Sequence, residues 1–429
     1  LEVTSMKTRA RGLTIVLVVL ALVAVACGGG GRGSSDKSTG GKKGAPGSTT
    51  GFDGTTITVG AISPQTGIAS IIGIPLTAGN QVYFDALNAK GGIAGKYKVK
   101  LEVRDSAYNS NTAQQNYSDL RDKVAMLAQV LGTDITNALL TPMRQDDMVG
   151  APATLDAEWV RDPNLLPVAG PYQIESINGL AYWVNEGGGK GKTLCVIRSD
   201  DLYGQAGLDG VKYAATKLDF HLGTVAEFPA SSTDLTAQLQ QVRSGCDAVW
   251  LVALPTATIP TMGTAATQGL DLRWIGQAPT WVSLLASGAT GDYMVKHFWL
   301  AAQGPQWGDT SSAGMKQMLD DIAKYKPDQK PDLYFAFGYS QALTVTKLLE
   351  KAVALGDLSH AGIKKALNEL GTVDTLGLAG TYKYGPPDQR IPPEQTTIFA
   401  VDPSAPGALK ALKVNYESKA VKSYKFPKT

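Results

Sequence analysis

Few groupings in this 429-residue chain have the residue types and spacing that chemistry demands. Gly338-Tyr339-Ser340-Gln341-Ala342 has the outline of a nucleophile elbow with alanine in its last place. Acyl transfer from Ser340 would need an acid and then a histidine downstream, and His360 is the only histidine there. A helix start explains the pattern without chemistry. Gly187-Gly188-Gly189-Lys190-Gly191-Lys192-Thr193 ends like a phosphate-binding loop, but Glu186 stands where its first glycine is needed. The segment also precedes its strand instead of following one, so it reads as a charged turn. His221, His297 and His360, with Cys27, Cys195 and Cys246, show no metal-ligand spacing. No metal, no cofactor and no catalytic residue is expected.

Binding groups are easier to find. Gly132-Thr133-Asp134 falls between a strand pattern and a helix pattern. Backbone N–H groups at a helix start, with a threonine hydroxyl beside them, suit a carboxylate. Capping of the helix by Thr133 or Asp134 is the competing explanation.

The elements that would position these groups alternate along the chain. Strand patterns at 57–62, 99–104 and 124–130 are interleaved with helix patterns at 76–90, 110–122 and 135–145. After a proline-marked break at 163–171, strands at 193–198, 224–228, 248–254 and 273–276 alternate with helices at 205–218, 235–244 and 258–269. Strands joined by helices pair in parallel with right-handed crossovers, so each run predicts an open α/β sheet. Helices at 312–325 and 333–354 follow without a third sheet, and they are expected to complete one of the two lobes.

The N-terminus has a different character. Lys7, Arg9 and Arg11 precede an apolar run at 13–26, too short to span a bilayer and of the length of a secretory signal. Ala24-Val25-Ala26-Cys27 resembles a lipoprotein cleavage site, giving a signal peptide at 1–26 and a lipid on Cys27. Ordinary cleavage beside a chance cysteine is the alternative. Residues 28–51 hold ten glycines and no branched aliphatic or aromatic side chain, so residues 27–55 are expected to act as a flexible tether. Without residues 1–26 the chain carries 37 charges of each sign, and so balanced a surface has no general attraction for nucleic acid.

Beyond these patterns the chain resembles a known family. Residues 57–60, then Asn88-Ala89-Lys90-Gly91-Gly92-Ile93-Ala94-Gly95 and Val99-Lys100-Leu101-Glu102-Val103-Arg104-Asp105, are similar to the opening of the leucine/isoleucine/valine-binding protein family. These are type I periplasmic-binding-fold receptors of ABC importers. The likeness continues through Asp200-Asp201-Leu202-Tyr203-Gly204, Asp247-Ala248-Val249-Trp250 and Gln268-Gly269-Leu270 to the helix near 339–354. It implies an α/β fold of two Rossmann-like lobes with open parallel sheets, joined by three crossover hinge strands. Lobe 1 would comprise 56–174 plus 304–373, and lobe 2 would comprise 175–303 plus 374–402, leaving 403–429 as a C-terminal tail.

The resemblance also implies site residues. Gly132 and Thr133 would receive a ligand carboxylate, helped by Ala153 and Thr154. Glu175 would pair with a ligand ammonium, unless it is a solvated carboxylate at a helix start. Tyr203 would cover the ligand from lobe 2. A second acid expected after the strand near Gly276 is replaced by Ala278, and an aromatic position falls at 254–256; Trp281 is a candidate for the lost contact area. The loop holding Ile68, Ile71 and Ile72 either lines a side-chain pocket or packs on its own lobe. Cys195 and Cys246 would sit on neighbouring strands, where a disulfide or two free thiols are both open.

Together these expectations describe a monomeric, lipid-anchored, extracytoplasmic binding protein. It would capture a small carboxylate-bearing solute, a branched-chain or other amino acid or else an amide or aromatic acid, and deliver it to ABC permease subunits. The membrane would be touched through the lipid alone. A ligand sensor of the same fold, a secreted hydrolase using Ser340 and a passive surface adhesin are the rivals.

Overall fold

A computed structural model describes residues 49–427. The expected signal peptide, Cys27 and the expected tether up to residue 48 lie outside the described residues. Residues 49–55 are not flexible tether as expected: Phe52 is buried in the first lobe's core, edge to face with Tyr97. Among those described, no helix is long and apolar enough to cross a membrane.

Lobe 1 begins with β1 (Thr56–Ser63), α1 (Ser70–Ala89), β2 (Lys98–Asp105), α2 (Ser110–Leu120), β3 (Leu127–Val130), α3 (Thr133–Gln145) and β4 (Gly150–Pro152). Its four strands lie in the order β2-β1-β3-β4, all parallel. β3 is buried along its whole length, as a central strand covered by helices on both faces must be.

Lobe 2 follows with α4 (Tyr172–Asn185), β5 (Thr193–Ser199), α5 (Leu202–Ala215), β6 (His221–Phe228), α6 (Thr236–Val242), β7 (Ala248–Val252), α7 (Pro255–Thr267), β8 (Arg273–Gln277), α8 (Gly288–His297) and β9 (Phe298–Ala302). The chain then returns to lobe 1 for α9 (Ala313–Tyr325), α10 (Leu333–Leu355) and α11 (His360–Asn368), which share one core with α1. A small hairpin, β10 (Thr372–Val373) and β11 (Tyr382–Lys383), precedes β12 (Thr396–Val401) and β13 (Leu409–Tyr416).

The two-lobe α/β fold is the one expected, with four differences. The seven-stranded sheet runs β13-β12-β9-β8-β7-β5-β6, and its β12 and β13 edge is antiparallel instead of parallel. Residues 403–427 are therefore not the expected tail: β13 closes the sheet edge, and Val421 is fully buried in the lobe 2 core beside Tyr424 and Phe426. β9 escaped the sequence pattern because α8 runs into it at Phe298 with no turn residue between them. α1 starts six residues earlier than its pattern, at Ser70, and tolerates Pro75 near its first turns.

The serine pentapeptide has a packing explanation. α1 and α10 cross backbone to backbone: a Cβ on Gly338 would stand 2.0 Å from the Leu76 carbonyl oxygen, and one on Gly79 would stand 2.2 Å from that of Phe335. Ser340 lies inside α10, buried, its hydroxyl donating to the Phe337 carbonyl at 2.8 Å. The His360 ring nitrogens face the carbonyls of Asp146 and Val124, so no Ser–His pair exists. The hydrolase reading is withdrawn. The glycines of 187–193 form the turn between α4 and β5, with Gly188 and Gly191 at positive φ.

Cys195 and Cys246 are joined in a disulfide, with Cα atoms 5.7 Å apart. Cys246 lies just before β7, in the loop that turns at Gly245 (φ +83°), and that freedom lets it reach the thiol on β5.

Three segments cross between the lobes, and hydrogen bonds tie them together. The Tyr384 hydroxyl donates to Pro167 O at 2.6 Å, and the Thr397 hydroxyl donates to Gly304 O at 2.7 Å. Arg390, almost fully buried, donates to the carbonyls of Gly385, Asp162 and Leu165.

Candidate ligand-binding site

Open α/β sheets present their binding edge beyond the carboxyl ends of the strands, and here two such edges face each other. The lobes touch: the Tyr334 hydroxyl of α10 donates to the Trp281 carbonyl at 2.7 Å, and the Thr256 hydroxyl donates to Ile68 O at 3.3 Å. Ile72, Leu76 and Leu131 from lobe 1 pack in one apolar cluster with Trp281 and other lobe 2 side chains. Between the lobes lies a row of adjoining chambers that share lining residues.

The first is the polar end. Where β3 ends, Gly132 adopts φ +116°, and a Cβ there would press within 3.0 Å of the Tyr108 ring. Only glycine meets both conditions. α3 starts at the next residue and no side chain caps it, which removes the capping explanation for Thr133 and Asp134. The Thr133 hydroxyl instead meets the Thr154 hydroxyl at 2.6 Å, both side chains being buried. β4 delivers Thr154, held in place by the Ala153 N–H donating to Val130 O at 2.6 Å. Two hydroxyls and the uncapped N–H groups of α3 converge on one spot. Such a spot favours an anion.

Lobe 2 closes this end with Tyr203. Asp201 caps α5 by accepting from Gly204 N at 2.8 Å, and that fixes Tyr203 in the first turn. Its ring meets Tyr172 edge to face, with centroids 5.2 Å apart. The Tyr203 hydroxyl is buried without a hydrogen-bond partner among the described residues. Burial pushes the Tyr203 phenol, and those of Tyr108 and Tyr334, far above the usual range. All three are therefore neutral donors at physiological pH.

The middle chamber shares Ile72, Ala153, Tyr172 and Pro279 with the first and is mostly apolar. Its one charged residue type is Glu175, which is fully buried in the first turn of α4, so the solvated alternative fails. Glu175 accepts from Ala278 N at 3.3 Å and from the Gln303 amide at 3.4 Å. Burial drives its carboxyl well above the usual carboxylate range, against the opposing pull of those two donors. Ala278 contributes its backbone N–H where a second acid was expected. Across the mouth, Asp134 of α3 has its pKa raised by burial and then by the charge of Asp201 on lobe 2.

All six residues singled out in the sequence thus line the adjoining chambers: Gly132, Thr133, Ala153, Thr154 and Tyr203 in the first, and Glu175 in the second. Ile72 does line the cleft, and Leu254 occupies the expected aromatic position. Sequence reasoning missed Tyr108, Tyr172, Gln303, Tyr334 and Phe337. Tyr172 carries a local signal, since it opens the helix after the proline-marked crossover. Tyr108 carries none: a tyrosine at φ +58° is not foreseeable from its neighbours. No group of three or more His, Cys, Asp or Glu among the described residues could hold a metal ion.

Asp332, beside the chambers, offers a test of the electrostatics. It caps α10 by accepting from Tyr334 N and Phe335 N at 2.8 and 2.9 Å, and burial raises its pKa from 3.8 to about 6. A carboxyl with a raised folded pKa stabilises the native state below its unfolded value, and that contribution is lost as pH rises through the folded one. From this group unfolding free energy is expected to fall by about 3 kcal/mol at most between pH 4 and pH 6. Asp332→Asn keeps the capping oxygen and should flatten that fall in urea melts. Identical pH slopes for both proteins would contradict the assignment.

Solved structures with this architecture include a fatty acid ABC transporter substrate-binding protein from Thermomonospora curvata. That protein has a TM-score of 0.82 and 24% identity over 89% of this chain and 98% of its own. A branched chain amino acid ABC transporter protein from Thermus thermophilus, with bound valine, matches at TM-score 0.73 and 18% identity over 86% of this chain and 98% of its own. An ABC transporter substrate binding protein from Aeropyrum pernix matches at 0.72 and 20%, with the same coverage. At such identities these likenesses establish the fold. Sequence comparison goes further, matching residues 56–406 to the periplasmic binding protein family. Because that match runs through both lobes and every crossing between them, the chain belongs to the periplasmic binding protein family, whose members bind solutes and do no chemistry on them.

Proposed function

We propose that this chain is the extracytoplasmic substrate-binding protein of an ABC importer and that its solute is a monocarboxylate with an apolar body. The observation that carries the reading is the asymmetry of the cleft. Thr133, Thr154 and the start of α3 make one anion-accepting end, and the adjoining chamber is apolar with no lysine or arginine in its wall. Burial disfavours the charged form of Glu175 there. The relative named for fatty acids points the same way. Ligand spanning both lobes stabilises the closed form, because only that form lets both contact it. The closed pair of lobes then docks on the permease.

A branched-chain amino acid is the second reading, and one observation favours it: Glu175 stands in the cleft, where an ammonium would ionise it. Against it, Ala278 supplies no second carboxylate, and a buried ammonium with one carboxylate partner is poorly compensated. Titration calorimetry with hexanoate, phenylacetate, leucine and valine separates the two. Hexanoate or phenylacetate should bind saturably, while hexanamide should bind at least tenfold more weakly. Binding of leucine alone would overturn the apolar-acid reading. Import is tested by loss of labelled-acid uptake in cells lacking the chain; a changed transcript profile with normal uptake would make it a sensor. The lipid on Cys27 also belongs to this proposal, and Cys27→Ala should release the protein from the membrane fraction.

A further inference from the structure

Beyond the middle chamber lies a third, the largest of the three by empty space. With solvent at their mouths included, the middle and far chambers hold about 500 and 780 Å³. They adjoin, with Ala302, Gln303, Leu333, Tyr334 and Phe337 lining both. The far chamber is built from Trp281 and Val282 of lobe 2, Trp307 and Ala336 of lobe 1, and the crossing segments at Gly304 and Leu378.

Three of its polar side chains are already engaged, leaving the Ser283 hydroxyl and the indole N–H groups of Trp281 and Trp307. The Asp332 carboxylate caps α10, and the Tyr334 hydroxyl is spent on the Trp281 carbonyl. The Gln303 amide bridges Gly170 N and Glu175. No lysine or arginine lines the chamber. Ordered water needs two to four polar partners, and these walls leave few free. An apolar occupant suits them better. The anion-accepting end lies only at the opposite end of the row, so an occupant reaching both ends has its polar group at one terminus.

We propose that the far chamber is the tail subsite of an elongated, unbranched aliphatic monocarboxylate, which passes Phe337 and ends between Trp281 and Trp307. This rests on the head-group reading above and adds chain length as the selected property. Because the chamber walls include the crossing segments at Gly304 and Leu378, the tail also touches the hinge.

The experiment is a titration series of hexanoate, octanoate, decanoate and dodecanoate against the wild type, Ala336→Phe and Val282→Phe. Both substituted residues line the far chamber and not the middle one. In the wild type each added methylene that reaches apolar wall should tighten binding about fourfold. In either variant hexanoate should bind within twofold of wild type while dodecanoate weakens at least tenfold. Retained hexanoate binding reports that the variant is folded. As a second measurement, 11-bromoundecanoate should quench tryptophan fluorescence, and Trp281→Phe with Trp307→Phe should remove most of that quenching. If dodecanoate binds no tighter than hexanoate, or both weaken equally in both variants, the tail subsite is wrong and the head-group reading stands. If no monocarboxylate binds at all, the head-group reading falls, and the tail subsite with it.

Discussion

Thr133→Val is expected to weaken carboxylate binding by about 10- to 100-fold while leaving the melting temperature within a few degrees of wild type. The substitution keeps the shape of a buried side chain and removes one hydroxyl. A hydrogen bond to a charged acceptor contributes about 1.5–3 kcal/mol, and 1.4 kcal/mol is a factor of ten in affinity. Thr154→Val should act similarly, since its hydroxyl lies 2.6 Å from that of Thr133. The two hydroxyls share a hydrogen bond and one anion, so the double variant should lose less than the product of the single effects. Hexanoate and its amide are the diagnostic pair, read by calorimetry. The amide should be nearly indifferent to both substitutions. Wild-type affinity for the acid in Thr133→Val would place the anion elsewhere and remove the basis of the head-group assignment.

The second large effect is on stability. Cys195→Ala combined with Cys246→Ala opens a loop closed across a sequence separation of 51 residues. The chain-entropy account gives such a cross-link about 4 kcal/mol. If lobe 2 melts as a unit of 150–250 residues, its transition should fall by roughly 8–16 °C. Ligand affinity measured well below the transition should not change, because Cys195 lies in the first half of β5 and the site lies beyond that strand's carboxyl end. An unchanged melting temperature would show that the unfolded chain gains little freedom when the bridge is absent. A changed affinity would show that the disulfide positions α5 and Tyr203.

These two expectations depend on different parts of the sequence. Gly132-Thr133 was readable as a turn and helix start after a strand, while Tyr203 was readable only through the family resemblance; the capping of α5 by Asp201 that holds it is seen in the structure. Glu175 was readable as an acid at a helix start but not in its state, which is set by burial and by donors from Ala278 and Gln303, over a hundred residues away in sequence. The serine of α10 misled for the converse reason. Gly338 is there because α10 presses against the Leu76 carbonyl, and nothing local in the pentapeptide reports that crossing.

What the sequence determined alone was the alternation of strands and helices, the division into two α/β lobes, and the hydroxyl-bearing loop at one strand end. Apolar periodicity and turn glycines act over short distances and leave local traces. The tertiary structure alone decided that β12 and β13 close the second sheet antiparallel, that Cys246 reaches Cys195, and that Tyr334 and Phe337 of α10 meet the distant Trp281 in one chamber. Those outcomes depend on how strands distant in sequence pair within lobe 2 and on how α10 of lobe 1 meets the Trp281 segment of lobe 2. Both are fixed by packing among residues far apart in the chain, which no local pattern encodes.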